Sequence, residues 1–219
     1  MYYILGIIAL AITIIAQIMV SVNYRKYKNE SNLCKKNGVE IAQKILEEHG
    51  LNDIYVIETR GHLSDHYDPT NNVIRLSKEV FNGESIASAS IAAHEVGHAI
   101  QYKEGNKLIK IRSKLVPFVN LCSNAGYIAV IIGLLGYVRL FYIGIVLISM
   151  ILLYQLLTLP VEFDASSKAF DNLSKMNILN DNEMDGAKKV LRAAALTYVA
   201  GVLASILEII RLILLSRDN

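Results

Sequence analysis

Four apolar stretches, each long enough at about 20 residues to cross a bilayer as a helix, limit what this 219-residue chain can fold into. Residues 2–22 are apolar apart from Thr13, Gln17 and Ser21. Residues 116–138 and 140–159 are separated only by Arg139, and residues 193–215 are interrupted by Glu208 and Arg211. A helix rises about 1.5 Å per residue, so each stretch matches a hydrocarbon core of roughly 30 Å. Hydrophobic residues make up 53% of the chain, and it is their segregation into blocks that predicts a mainly α membrane protein with four transmembrane helices.

Charge sets the orientation. The first block has no basic residue before it and no small-x-small cleavage site after it, which argues against a cleaved secretory signal. Arg25, Lys26 and Lys28 follow it directly, and Lys107, Lys110, Arg112 and Lys114 precede the second block. Both basic flanks place residues 25–115 in the cytoplasm. Crossing out through the second block and back through the third returns the chain to the same side at Pro160. The expected organisation is a first span at 1–24, a cytoplasmic domain at 25–115, a transmembrane hairpin at 116–159, a cytoplasmic helical segment at 160–192, and a fourth span with a short external tail at 193–219. The net charge of +2 is too small to imply a nucleic-acid partner, because the basic residues already serve as membrane flanks. Cys34 and Cys122 lie in a loop and a span, with neither disulfide nor metal-ligand spacing. Nothing in the pattern specifies an oligomeric state.

Within the cytoplasmic domain, residues 37–49 have helical periodicity, and Gly50 suits the C-terminal cap. Residues 54–57 and 73–76 are β-prone runs separated by a polar, turn-rich loop, and predict a small sheet with 73–76 at its edge. From Ser85 an Ala- and Ser-rich helix continues to about Ile100, with Gly105 ending it.

That helix carries His94-Glu95-Val96-Gly97-His98. Side chains at i and i+4 share one helix face, so both imidazoles can reach a single zinc ion, and Glu95 is placed to act as general base on water. The helix is barely long enough to span a bilayer, and the chain has no Leu-Asp-Gly partner motif of the kind intramembrane metalloproteases use for their third ligand, which disfavours that rival. A hydrolytic zinc site needs three protein ligands and one open position. Glu104 stands where a metzincin would have its third histidine, and it lies too close along the same helix to be the first choice. Glu162, in Leu159-Pro160-Val161-Glu162-Phe163-Asp164-Ala165-Ser166, is the better candidate. Pro160 suits the first turn of a helix, and Ala165 allows that helix to pack closely on the Gly97 side of the motif helix. Two histidines and a helical glutamate form a gluzincin-type set around one Zn2+. The fold expectation is therefore four spans with a small α+β zincin-like cytoplasmic domain.

Five segments resemble the YugP-like family of bacterial membrane-associated neutral zinc metallopeptidases. They are Asp65-His66-Tyr67-Asp68-Pro69, residues 76–83, residues 92–101 with the motif, Leu159-Pro160-Val161-Glu162-Phe163, and residues 190–199. The resemblance implies a zinc peptidase with His94 and His98 as ligands and Glu95 as base, and Glu162 as third ligand less directly, through likeness to gluzincins. Those enzymes often place an aspartate four residues after the ligand glutamate to orient a zinc histidine, whereas Ser166 stands there in this chain. Tyr198, His66 and Arg192 are candidate oxyanion donors, although each also has an ordinary use as interfacial anchor, loop residue and basic flank. Zincins hold substrate as an added strand, for which 73–76 is the expected edge. Glu208 with Arg211, and Asn120, Ser123 and Asn124, read as polar pairing within the spans.

The function expected is hydrolysis of peptide bonds in membrane or membrane-presented proteins at the cytoplasmic surface of the cell membrane, with a peptide or protein substrate and the bilayer as partners. The alternative is a catalytically silent scaffold held together by zinc, which needs the ligands but has no use for Glu95.

Overall fold

The computed structural model describes residues 2–216, so Arg217 to Asn219 of the expected external tail lie outside the described residues. The helices are α1 (Tyr2–Lys28), α2 (Gly38–Glu48), α3 (Lys78–Phe81), α4 (Ile86–Lys103), α5 (Lys107–Leu134), α6 (Val138–Lys175) and α7 (Asp181–Leu215); the strands are β1 (Tyr55–Thr59), β2 (His66–Asp68) and β3 (Val73–Ser77). Four of these helices, α1, α5, α6 and α7, are long and apolar enough to cross a membrane.

The chain forms two compact units. The first comprises the described residues of Met1–Gln17, Lys110–Pro160 and Leu196–Asn219. Its apolar side chains point outward in large part, including Ile7, Leu10, Leu121 and Val146. That inversion is stable only in an apolar solvent and is the surface a bilayer requires. Small residues let its helices approach. A Cβ at Gly144 would lie 2.8 Å from the carbonyl oxygen of Gly126, so α5 and α6 meet backbone to backbone. Glu208 accepts two hydrogen bonds from Arg211, at 2.6 and 2.8 Å, which is the expected i, i+3 pair.

The second unit comprises Ile18–Ile109 and Val161–Ala195. Its core is built from Ile41 and Ile45 of α2, Ile74 and Leu76 of β3, Ala89, Ala92 and Val96 of α4, Leu173 of α6 and Ala187 of α7. Asn37 and Glu40 form a reciprocal capping box at the start of α2, and Gly50, at φ 62°, follows its end as expected.

The sheet corrects one expectation. Its strand order is β1-β3-β2, with β1 parallel and β2 antiparallel to β3, so residues 73–77 form the centre and not an edge. Ile74 and Leu76 on one face and Val73 and Ser77 on the other are all buried, the pattern of a strand covered on both sides. The overlooked neighbour is β2, a short polar strand within the loop, whose His66 sits opposite Arg75 and Tyr67 opposite Ile74.

Pro160 also departs from expectation, lying inside the single helix α6 and not in a first turn. It removes one backbone hydrogen bond there without ending the helix.

Candidate metal centre

Small side chains determine where α4 can go. Ser85 caps the helix by accepting a hydrogen bond from the Ser88 N–H at 3.1 Å, and Ala87, Ala89, Ala92 and Ala93 keep it thin and buried. At Gly97 no side chain separates it from α6, since a Cβ there would lie 2.6 Å from the carbonyl oxygen of Ala165. Gly97 lies between His94 and His98, and Ala165 lies one turn beyond Glu162. The expected close packing of these two positions is therefore present, and it brings the three polar side chains together.

His94 Nε2 lies 3.2 Å from Glu162 Oε2, and His98 Nε2 lies 3.5 Å from the same oxygen. All three ligand atoms fall within 4.8 Å of one another. For a tetrahedral ion with ligand bonds of about 2.0–2.1 Å, adjacent ligand atoms are separated by about 3.3 Å. The two histidine-to-glutamate spacings bracket that value, and the donor set of two imidazoles and a carboxylate suits zinc. Glu162 is 1% exposed, and a carboxylate withdrawn from water to that degree is costly unless a cation or strong donors face it. Glu95, also buried, follows His94 on α4 and is not one of the three converging residues.

The outward nitrogens of both imidazoles are held by residues that the motif does not name. Gln101 is fully buried, and its Nε2 donates to the Val161 carbonyl and to Asp164 Oδ2, both at 2.7 Å. With both amide protons used, its Oε1 faces His98 Nδ1 at 3.0 Å and can only accept. His98 therefore carries its proton on Nδ1 and turns the lone pair of Nε2 towards Glu162 and the space between the ligands. Ser166 Oγ lies 3.3 Å from His94 Nδ1, so it is the residue beside that outward nitrogen. Sequence reading missed Gln101 because a glutamine one turn past the motif has no distinguishing pattern; a polar residue on the buried face of that helix was the available signal.

Replacing Gln101 by Leu is expected to lower zinc affinity roughly 10- to 100-fold by freeing the His98 ring. Gln101→Glu is expected to lose affinity as well, because its carboxylate would face the Val161 carbonyl and Asp164 with no proton to donate. Titration with a competing zinc chelator measures both, and equal affinities for Leu and parent would remove this role.

None of the other candidates is among the three converging residues. Glu104 ends α4 and pairs with Lys168 Nζ at 2.9 Å. His66 is exposed on β2, its Nδ1 donating to the Ser64 carbonyl at 2.8 Å. Arg192 is an exposed residue of α7. Tyr198 belongs to the first unit, where it lines a cavity of about 450 Å³ with Gln17, Arg112, Tyr154 and Gln155. Beside α4, the ring of Tyr67 on β2 meets Tyr102 edge-on at 6.1 Å. Burial, reinforced by Tyr102, Asp53 and Asp68, pushes the Tyr67 phenol up to about 12, so it keeps its proton. Cys34 is exposed and Cys122 buried, both as free thiols.

The protein from Bacillus subtilis (strain 168) named "Putative membrane protease YugP" is 42% identical over 216 residues, which is 98% of this chain and 96% of that relative. No solved structure matches the chain. The chain matches over residues 2–217, and so belongs to, the family described as "Putative neutral zinc metallopeptidase".

Proposed function

We propose that this protein is a membrane-bound zinc metalloendopeptidase that hydrolyses peptide bonds of membrane or membrane-presented proteins close to the cytoplasmic surface of the bilayer. The observation that carries this reading is the convergence of His94, His98 and Glu162 at spacings suited to one zinc ion, with Glu95 beside them. When bound, zinc supplies a Lewis acid that acidifies water and polarises a peptide carbonyl. Glu95 takes the proton released by the attacking water and returns it to the leaving amine. Gln101 and Ser166 hold the imidazoles in the orientation that ligation needs. His66 remains a proposal for oxyanion stabilisation.

Substrate is proposed to add as a strand to the free edge of β2, since β3 is occupied on both sides and β2 lies beside α4 through the Tyr67–Tyr102 contact. A membrane-associated substrate is supported by sequence: Glu162 follows the third apolar block directly. The test is cleavage of a peptide in detergent micelles, with and without a membrane tether. Cleavage is expected to favour the tethered form, to stop on zinc chelation and to return on zinc addition. A zinc-loaded protein that cuts neither peptide would favour the scaffold reading.

The cytoplasmic location rests on the basic flanks and is testable with a natural probe. Cys34 is exposed and Cys122 is buried, so an impermeant maleimide reports on Cys34 alone. Intact cells are expected to protect it and permeabilised cells to label it. Equal labelling in intact cells would reverse the orientation.

A further inference from the structure

In the unit that carries the motif, α6 and α7 enclose an open groove of about 390 Å³. Phe163, Phe170 and Leu191 give it an apolar lining, while Ser166, Lys188 and Arg192 supply polar groups. Ser166 is also the residue whose hydroxyl lies 3.3 Å from His94 Nδ1, so groove and metal centre share a wall.

Lys188 and Arg192 are four residues apart on α7 and therefore on one face of it. Both are exposed, and among the described residues neither makes an ion pair or side-chain hydrogen bond. The lysines of α6 differ: Lys168 pairs with Glu104 at 2.9 Å and Lys175 with Asp171 at 3.2 Å. Unpaired cations above an apolar floor suit a side chain with an apolar body and an anionic end.

We propose that this groove binds an acidic segment of the polypeptide substrate, with the apolar part of a residue on Phe163, Phe170 and Leu191 and its carboxylate between Lys188 and Arg192. The groove thereby sets a preference for glutamate or aspartate near the scissile bond. Its use in cleavage rests on the peptidase reading, whereas its affinity for acidic peptide does not. A peptide is favoured over a lipid headgroup by the two aromatic rings and by the shared Ser166 wall, neither of which a headgroup contact requires.

The experiment uses the full-length, zinc-loaded Glu95→Gln protein in neutral detergent, so that peptide is not consumed. Fluorescent Leu- and Ala-rich peptides carrying spaced glutamates, glutamines or lysines are compared by anisotropy. The glutamate peptide is expected to bind roughly 10- to 100-fold more tightly than the glutamine peptide, the range for charge-assisted contacts. Lys188→Glu and Arg192→Glu each take the pair from two positive charges to a net charge of zero and are each expected to abolish the preference for the glutamate peptide, and two variants guard against one failing to fold. Equal affinity for all three peptides overturns the proposal. So does an unchanged peptide order in Lys188→Glu accompanied by loss of binding to phosphatidylglycerol vesicles, which would assign these cations to the membrane. Cleavage is assayed separately with the unsubstituted protein: failure there removes the peptidase reading, while the peptide order still decides the groove.

Discussion

Replacing Glu95 by Gln is expected to leave bound zinc unchanged and to slow peptide cleavage by roughly a hundred- to ten-thousand-fold, the usual contribution of a positioned general base. Gln keeps the size of the side chain at a position that is only 7% exposed, so α4 has no packing reason to move. The carboxamide cannot take a proton from water, and proton transfer is the step that fails. Zinc should remain because Glu95 is outside the converging set of His94, His98 and Glu162. Glu162→Gln provides the contrast, losing zinc and cleavage together. Metal content by mass spectrometry, followed by casein cleavage, separates the two effects. Undiminished cleavage by Glu95→Gln would end the hydrolytic mechanism, and loss of zinc from it would mean that Glu95 supports the ligands instead.

The helical half of this arrangement was legible because its signals are local. A run of about 20 apolar residues has few alternatives to a membrane helix, and an i, i+4 histidine pair has a fixed geometric meaning once its helix is known. The closeness of Gly97 to Ala165 was also readable, since small residues on two helices advertise close approach. What resisted reading depended on partners distant in sequence. Strand β2 is three residues long and polar, and it becomes a strand only because β3 offers it an edge, which is why 73–76 was misread as the border of the sheet. Gln101 acquires its role only when α6 brings Val161 and Asp164 to its amide group. Pro160 is compatible with a helix start and with a helix interior that tolerates one missing hydrogen bond, and local preference favoured the wrong one.

Gly97→Ala is expected to weaken zinc binding by one to two orders of magnitude, the loss typical of removing support from a metal site, while its cost to the thermal stability of the zinc-free protein is partly offset. The two quantities separate for a physical reason. An added Cβ would lie 2.6 Å from the Ala165 carbonyl oxygen and 3.2 Å from its carbonyl and α carbons, all backbone atoms with no rotamer to escape into. Such overpacking costs about 1–3 kcal/mol. Alanine in place of a mid-helix glycine returns roughly 0.5–1 kcal/mol of that through lower backbone entropy in the unfolded chain. The helical preference does nothing for ligand spacing. To relieve the clash α4 and α6 must separate by about half an ångström or more, which is comparable to the tolerance of a preorganised site. That movement acts directly on the 3.2 and 3.5 Å distances from Glu162 to the two imidazoles. Gly97→Val adds two methyl groups to the same contact and should abolish zinc binding altogether. Gly201→Ala in the other unit is the comparison, because its Cβ would meet the end of the Gln155 side chain at 3.3 Å, a group that can turn aside. Chelator competition and thermal denaturation on the three variants give the outcome. Parental zinc affinity in Gly97→Ala would mean that the close approach of α4 and α6 does not set the distance between histidines and glutamate.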